Sequence, residues 1–166
     1  LELAPRQERP HTILHADVQA ERTGGKIAAD LSADMDQINF GDLAAVWPSW
    51  LGGPGLQPWI TENITGGIAK NAKVKLHLIA PDSTSREDLS NADVTELSGG
   101  LDGEDMTVSW LKPVPPLEHA NARLNFLSPE ALEIVVSGAR QAGGTQGGLV
   151  VQGGRIFITG LLAAPV

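Results

Sequence analysis

The chain has 166 residues, a formal net charge of -8 and no cysteine. No cluster of Lys and Arg stands out, which argues against phosphate-backbone binding and against electrostatic docking on anionic headgroups. The lack of Cys excludes a disulfide framework, a thiolate nucleophile and a Cys-ligated zinc site. Hydrophobic residues make up 42% and aromatics 4%, with no Tyr, so apolar faces must be built from Ala, Val, Leu and Ile.

No apolar run approaches the ~20 residues that span a bilayer, and no signal peptide is legible. The chain begins at Leu1 in polar, Pro-containing sequence and stops just after a strand-like run. Both ends read as cuts in a longer protein, with any membrane anchor outside this piece.

Taken in order, the first signal is period-two alternation, the mark of a strand with one buried face. Leu14, Ala16, Val18 and Ala20 alternate with His15, Asp17, Gln19 and Glu21. Thr23-Gly24-Gly25-Lys26 supplies a hairpin turn, because paired glycines reach the positive φ it needs. Ile27, Ala29, Leu31, Ala33 and Met35 then form the returning strand.

The pattern changes at Asp42, which is placed to cap a helix. Leu43, Val46, Trp47, Trp50 and Leu51 fall at helical spacing, and Pro48 limits that helix to one or two turns. Gly52-Gly53-Pro54-Gly55 predicts a reversal. A second short helix is predicted with Pro58 in its first turn, Leu56, Trp59, Ile60 and Ile64 on one side, and a stop at Gly66. Three of the four Trp residues fall in this pair, which reads as a plug over one end or edge of a sheet.

Alternation resumes at Ala72, Val74, Leu76, Leu78 and Ala80. Beyond the polar stretch 81–91, strands are predicted at 94–101, 106–111, 120–127, 132–137, 149–152 and 155–161. The connectors Asp102-Gly103-Glu104, Ser128-Pro129-Glu130 and Gly153-Gly154 are short, which implies an antiparallel meander. Gly143 to Gly148 reads as a longer link. The expected fold is mainly β, an antiparallel meander curved into a trough or half-barrel, with a short Trp-rich helical pair.

Chemical motifs are sparse. His77 and His119 sit on the polar sides of strands. His11, His15 and Asp17 form a weak metal-ligand pattern, read as solvated positions. Glu104-Asp105 is a carboxylate pair in a predicted turn, where adjacent residues point apart. No Gly-x-Ser-x-Gly elbow surrounds Ser90, Ser98, Ser109 or Ser137. Thr23-Gly24-Gly25-Lys26 lacks the upstream Gly and following helix of a phosphate loop. No catalytic residue, metal ligand or cofactor site is assigned. Trp47, Trp50 and Trp59 fit the lining of a sugar or lipid site, although structural anchoring is the commoner use of Trp on a short amphipathic helix.

Several runs, in order, carry a resemblance. Val46-Trp47-Pro48 is followed by Trp59-Ile60-Thr61-Glu62-Asn63-Ile64-Thr65-Gly66-Gly67 and an alternating strand. Residues 97–111, Pro113 to Leu117, and the strands at 120–126, 132–138 and 154–161 continue the pattern. Residues 42–161 resemble the AsmA-like family, in its YhdP-type branch. Two positions depart from that pattern: Gln57-Pro58 precedes Trp59 where Arg is usual, and Trp110 replaces a usual Tyr.

The resemblance implies a periplasmic module of an inner-membrane-tethered envelope protein, with curved sheets forming an apolar channel for phospholipid tails on their way to the outer membrane. It implies no active-site residues. It divides the chain into an N-terminal β-hairpin region, 1–41, and an AsmA-like β module, 42–166, with short helices at 42–65 and one compact unit overall. Neighbouring modules of the same protein are the expected partners, with phospholipid acyl chains as ligand and no nucleic acid.

The candidate lipid-groove or core residues are Val74, Leu76, Leu78, Val108, Trp110, Leu124, Phe126, Ile134 and Val136. Trp47, Pro48, Trp50, Trp59, Gly66 and Gly67 are candidate structural residues. The same apolar rows fit a dry core equally well. Two other functions stay open: an assembly module that binds protein partners through its β edges, and a polysaccharide-active enzyme with converging carboxylates.

Overall fold

The computed structural model describes residues 12–47, 53–82, 92–109, 113–141 and 148–160, with the side chains of 53–56 excepted. Pro48, Trp50, Leu51, Leu56 and Trp110 therefore lie outside what is described, as do His11, Ser90 and Gly143 to Gly147.

Strands β1 (Leu14–Thr23) and β2 (Lys26–Asn39) form the expected hairpin, with ten consecutive pairs from Leu14–Met35 to Thr23–Lys26. Gly24 and Gly25 have φ of 61° and 78°, as the two-residue turn requires. The chain then runs through α1 (Phe40–Val46), α2 (Gly53–Asn63), β3 (Ile64–Thr65), β4 (Ile68–Pro81), β5 (Asp93–Val108), β6 (Leu117–Ser128), β7 (Ala131–Gln141), β8 (Leu149–Val151) and β9 (Gly154–Thr159).

All pairings are antiparallel and follow the order β1-β2-β4-β5-β6-β7-β8, with β3 on β5 and β9 on β7. Short turns and period-two patterning produce this meander. Among the described residues, β1 at one edge pairs only with β2, and β8 and β9 at the other pair only with β7, so the curled sheet stays open.

The structure corrects three sequence expectations. Residues 94–108 are not two strands joined by a turn at Asp102-Gly103-Glu104, and 110–111 of the second predicted strand lie outside the described residues. Residues 94–108 lie in β5, a continuous strand as far as Val108, and the apparent turn is a bulge at Asp105, φ 54°. Gly153-Gly154 does not turn the chain either. Ala139–Val151 and Val136–Gly154 keep one register against β7, so β8 and β9 are one interrupted edge strand. Third, α2 begins at Gly53, so Gly53-Pro54-Gly55 opens the helix instead of reversing the chain, and Pro58 sits inside it. A proline removes only one backbone donor, and packing against the sheet sustains the helix.

The helix ends differ as well. Asn39, not Asp42, is the N-cap of α1; Asp42 lies in the first turn and accepts from Asn39 Nδ2 at 3.3 Å. Helix α2 ends at Asn63, whose Nδ2 donates to the Trp59 carbonyl at 2.8 Å. The predicted stop, Gly66, instead interrupts a strand. Ile64–Val108 and Ile68–Glu104 share one register on β5, with Gly66 and Gly67 (φ 76° and 80°) bridging β3 to β4.

The cross-strand register sets apolar residues side by side. One row runs Ala16, Ala33, Val74, Gly99, Phe126, Leu132, Ile158 across seven strands. The sheet bends because three bulges fall on neighbouring strands, at Asn71, Asp105 and His119, each with φ between 51° and 54°. Bulges increase local twist and re-aim the strand. Gly99 marks the tightest approach: an added Cβ would lie 2.0 Å from the Lys73 carbonyl oxygen.

The opposite face is polar. Asp102 accepts from Asn71 and from Arg123 at 3.0 Å each. Arg123 continues to Asn125, Asn125 to Glu133, and Glu133 to Arg155, so a polar ladder crosses β4, β5, β6, β7 and β9. The hydrogen bonds from Asn71 and Arg123 hold the Asp102 carboxyl below its ordinary pKa, against a smaller opposing effect of desolvation. Each strand is therefore apolar on one side and wet on the other.

Candidate functional site

The apolar face divides into a covered end and an open end. Helices α1 and α2 pack on each other and on the neighbouring strands. At the covered end, Trp59 roofs a small cavity of about 30 Å³ whose floor includes Val108, Leu124, Ile134 and Val136. Leu124 and Met106 are fully buried there. This end is a dry core.

At the open end lies an apolar trough of about 260 Å³. Its floor is laid by Leu14, Ala16, Leu31, Ala33, Met35, Ala72 and Val74. Leu76, Leu101 and Phe126 continue it into the sheet. One wall is α1, through Leu43, Val46 and Trp47. The side chain of Leu43 is buried while Val46 is mostly exposed, so the helix covers the trough without sealing it. Among the described residues, no ionisable side chain lines the trough.

The sequence candidates thus separate by position. Val74, Leu76 and Phe126 lie in the trough. Val108, Leu124, Ile134 and Val136 belong to the dry core under Trp59. Leu78 is buried on β4 opposite Ala29 and Val94. Trp47 lines the trough, a placement that structural anchoring alone did not anticipate. Gly67 has a steric reason: a Cβ there would sit 2.5 Å from the Glu104 carbonyl oxygen.

The trough also draws on residues outside that candidate set, notably Leu14, Leu31, Ala33 and Met35. Their alternation was legible; only the register with β4 shows that they share Val74's face.

Ionisable groups gather on the other face and at its bulges. His77 Nδ1 meets Asp30 at 2.7 Å, and His119 Nδ1 meets Asp105 at 2.6 Å. Glu104 pairs with Lys70, which separates the Glu104-Asp105 doublet into two different partnerships. Among the described residues, no group of three or more His, Asp or Glu is arranged to hold a metal, and no buried residue is polar or charged.

The sequence matches no family model, and neither the curated proteins nor the solved structures contain a match to it.

Proposed function

We propose that this chain is a non-catalytic module of an envelope protein and that its trough holds phospholipid acyl chains in transit between inner and outer membranes. The observation that carries this reading is the open apolar trough on a curled sheet whose other face is wet. The ordered Trp and Gly signposts that resemble AsmA-like proteins support the same reading and supply its periplasmic, inner-membrane-tethered setting.

The physics needs no specific ligand atom. Moving methylenes from water to the trough contributes roughly 0.8 kcal/mol each, so a chain burying about eight gains roughly 6 kcal/mol before ordering costs. A floor of Ala, Val, Leu and Met offers no hydrogen bond that fixes one position, so a tail slides along it. A headgroup stays at the rim, where water and the polar side chains of the other face are close.

The test is native mass spectrometry of the chain with a defined diacyl phospholipid. The expected spectrum carries a one-lipid adduct that Val74→Lys removes, because the ammonium would have to be desolvated by the bound tail. An adduct of unchanged intensity in Val74→Lys, or none in the parent protein, refutes the proposal.

A further inference from the structure

We propose that the outer edge of β1 docks an extended strand from a protein partner that alternates apolar and basic side chains. The backbone gives the first argument. Asp36 N–H donates to the Ile13 carbonyl, while Ile13 N–H donates to Asp36 Oδ1, so Ile13–Asp36 has the phase of a hydrogen-bonded pair. Such pairs alternate along an antiparallel ladder. The odd-numbered residues of β1 therefore bond to β2. The N–H and C=O groups of Leu14, Ala16, Val18 and Ala20 point away from the sheet.

Among the described residues, no strand covers that edge. Of the usual guards against pairing, the strand carries charged side chains (Asp17, Glu21 and Arg22) but not the others. Leu14–Thr23 contains no Pro and no Lys, and its ten pairs with β2 run without a bulge. The far edge is different: it is broken into β8 and β9, of three and six residues.

The side chains then specify the partner. Leu14 and Val18 lie on the trough side and are each 62% exposed. A partner strand with apolar residues on that side extends the apolar row and takes both out of water. The other side of β1 presents His15, Asp17, Gln19 and Glu21. Asp17 sits opposite Ser32, and Glu21 opposite Ala28. Among the described residues, neither carboxylate has a cationic partner.

Residues 17 and 21 project from the same face of the strand. Lys or Arg directly across from them forms favourable cross-strand pairs. A second copy of this chain is a poorer fit. Two chains of net charge -8 repel; self-pairing centred on residue 17 or 19 also sets acid against acid, whereas a centre at 16 or 18 does not, so the net charge carries the choice.

The probe is a blocked nine-residue peptide alternating Val and Lys, compared with its Val and Glu counterpart, added to the isotope-labelled 166-residue chain. The Val–Lys peptide is expected to bind with amide shifts concentrated in β1, and the Val–Glu peptide at least tenfold more weakly. Asp17→Asn with Glu21→Gln should lower the affinity severalfold and flatten its salt dependence. Ala16→Pro removes an edge donor while leaving the β1–β2 bonds in place, and should abolish binding in a variant that melts normally. A peptide N-methylated at its pairing amides should also fail, and this arm does not depend on the variant folding.

Absence of Val–Lys binding, equal binding of the two peptides, or binding that survives either edge block overturns the proposal. A concentration-dependent dimer abolished by Ala16→Pro assigns the edge to a second copy and overturns the choice of partner.

Discussion

Truncating the two ends of the apolar face should have unequal costs. Leu124 is fully buried, faces Leu101 and Ile134 across the ladder, and lies beneath Trp59. Leu124→Ala leaves a void that the ladder on both sides prevents from collapsing. Core Leu→Ala changes cost about 2–5 kcal/mol, and this site belongs in the upper half, about 3–4 kcal/mol. Val74 is half-buried and already borders the open trough. Val74→Ala creates no closed cavity and removes about two partly buried carbons, so it should cost about 1 kcal/mol. Urea denaturation separates the two. With a slope of about 2 kcal/mol per molar, Leu124→Ala lowers the midpoint by about 1.5–2 M and Val74→Ala by about 0.5 M, with unchanged slopes. Equal midpoint shifts, or a larger one for Val74→Ala, would mean that the trough is closed and dry, and would refute the division.

Gly99→Ala should be among the most damaging single-methyl additions. Its φ is +133° and its Cβ would lie 2.0 Å from the Lys73 carbonyl oxygen; a loss of more than about 2 kcal/mol in the same urea assay is expected, and a neutral result would contradict the close approach of β4 and β5. Asp102 gives a pH signature. Its pKa is lowered in the folded chain, so its stabilisation is complete above the ordinary carboxylate value of ~3.9 and is lost as pH falls through the lower folded value. The effect is small, because the Asp102 and Arg123 side chains are 41% and 39% exposed and solvent screens the pair. Asp102→Asn should therefore be mildly less stable at pH 7 and converge with the parent protein at acid pH. A difference that widens on acidification would reverse the sign and sink the assignment.

Period-two alternation was enough to place most of the strands and the one-sided character of the sheet. It failed where a strand is interrupted without turning. Asp102-Gly103-Glu104 and Gly153-Gly154 carry turn residues, yet strand pairing continues through both sites, with a register shift against β6 at the first. A bulge and a turn use the same residues, since both need a small or positive-φ position. Cross-strand pairing decides between them, and that is a non-local fact. Helix α2 was misplaced for a related reason: Gly53 and Pro54 weaken a helix locally, but the sheet beneath supplies the packing that sustains it. At the trough, the residue types were readable and the grouping was not. Val74 and Leu124 look alike in sequence; only the position of the two helices puts one at an open surface and the other under a roof.

The claim that acyl chains occupy the trough is tested most directly by tryptophan quenching. Trp47 lines the trough, whereas Trp59 roofs the separate closed cavity. A phospholipid brominated along its acyl chains should quench the protein's emission. Most of that quenching should vanish in Trp47→Phe and persist in Trp59→Phe. Quenching that survives Trp47→Phe undiminished, or that never occurs at lipid concentrations where an adduct forms, would contradict an acyl chain in the trough.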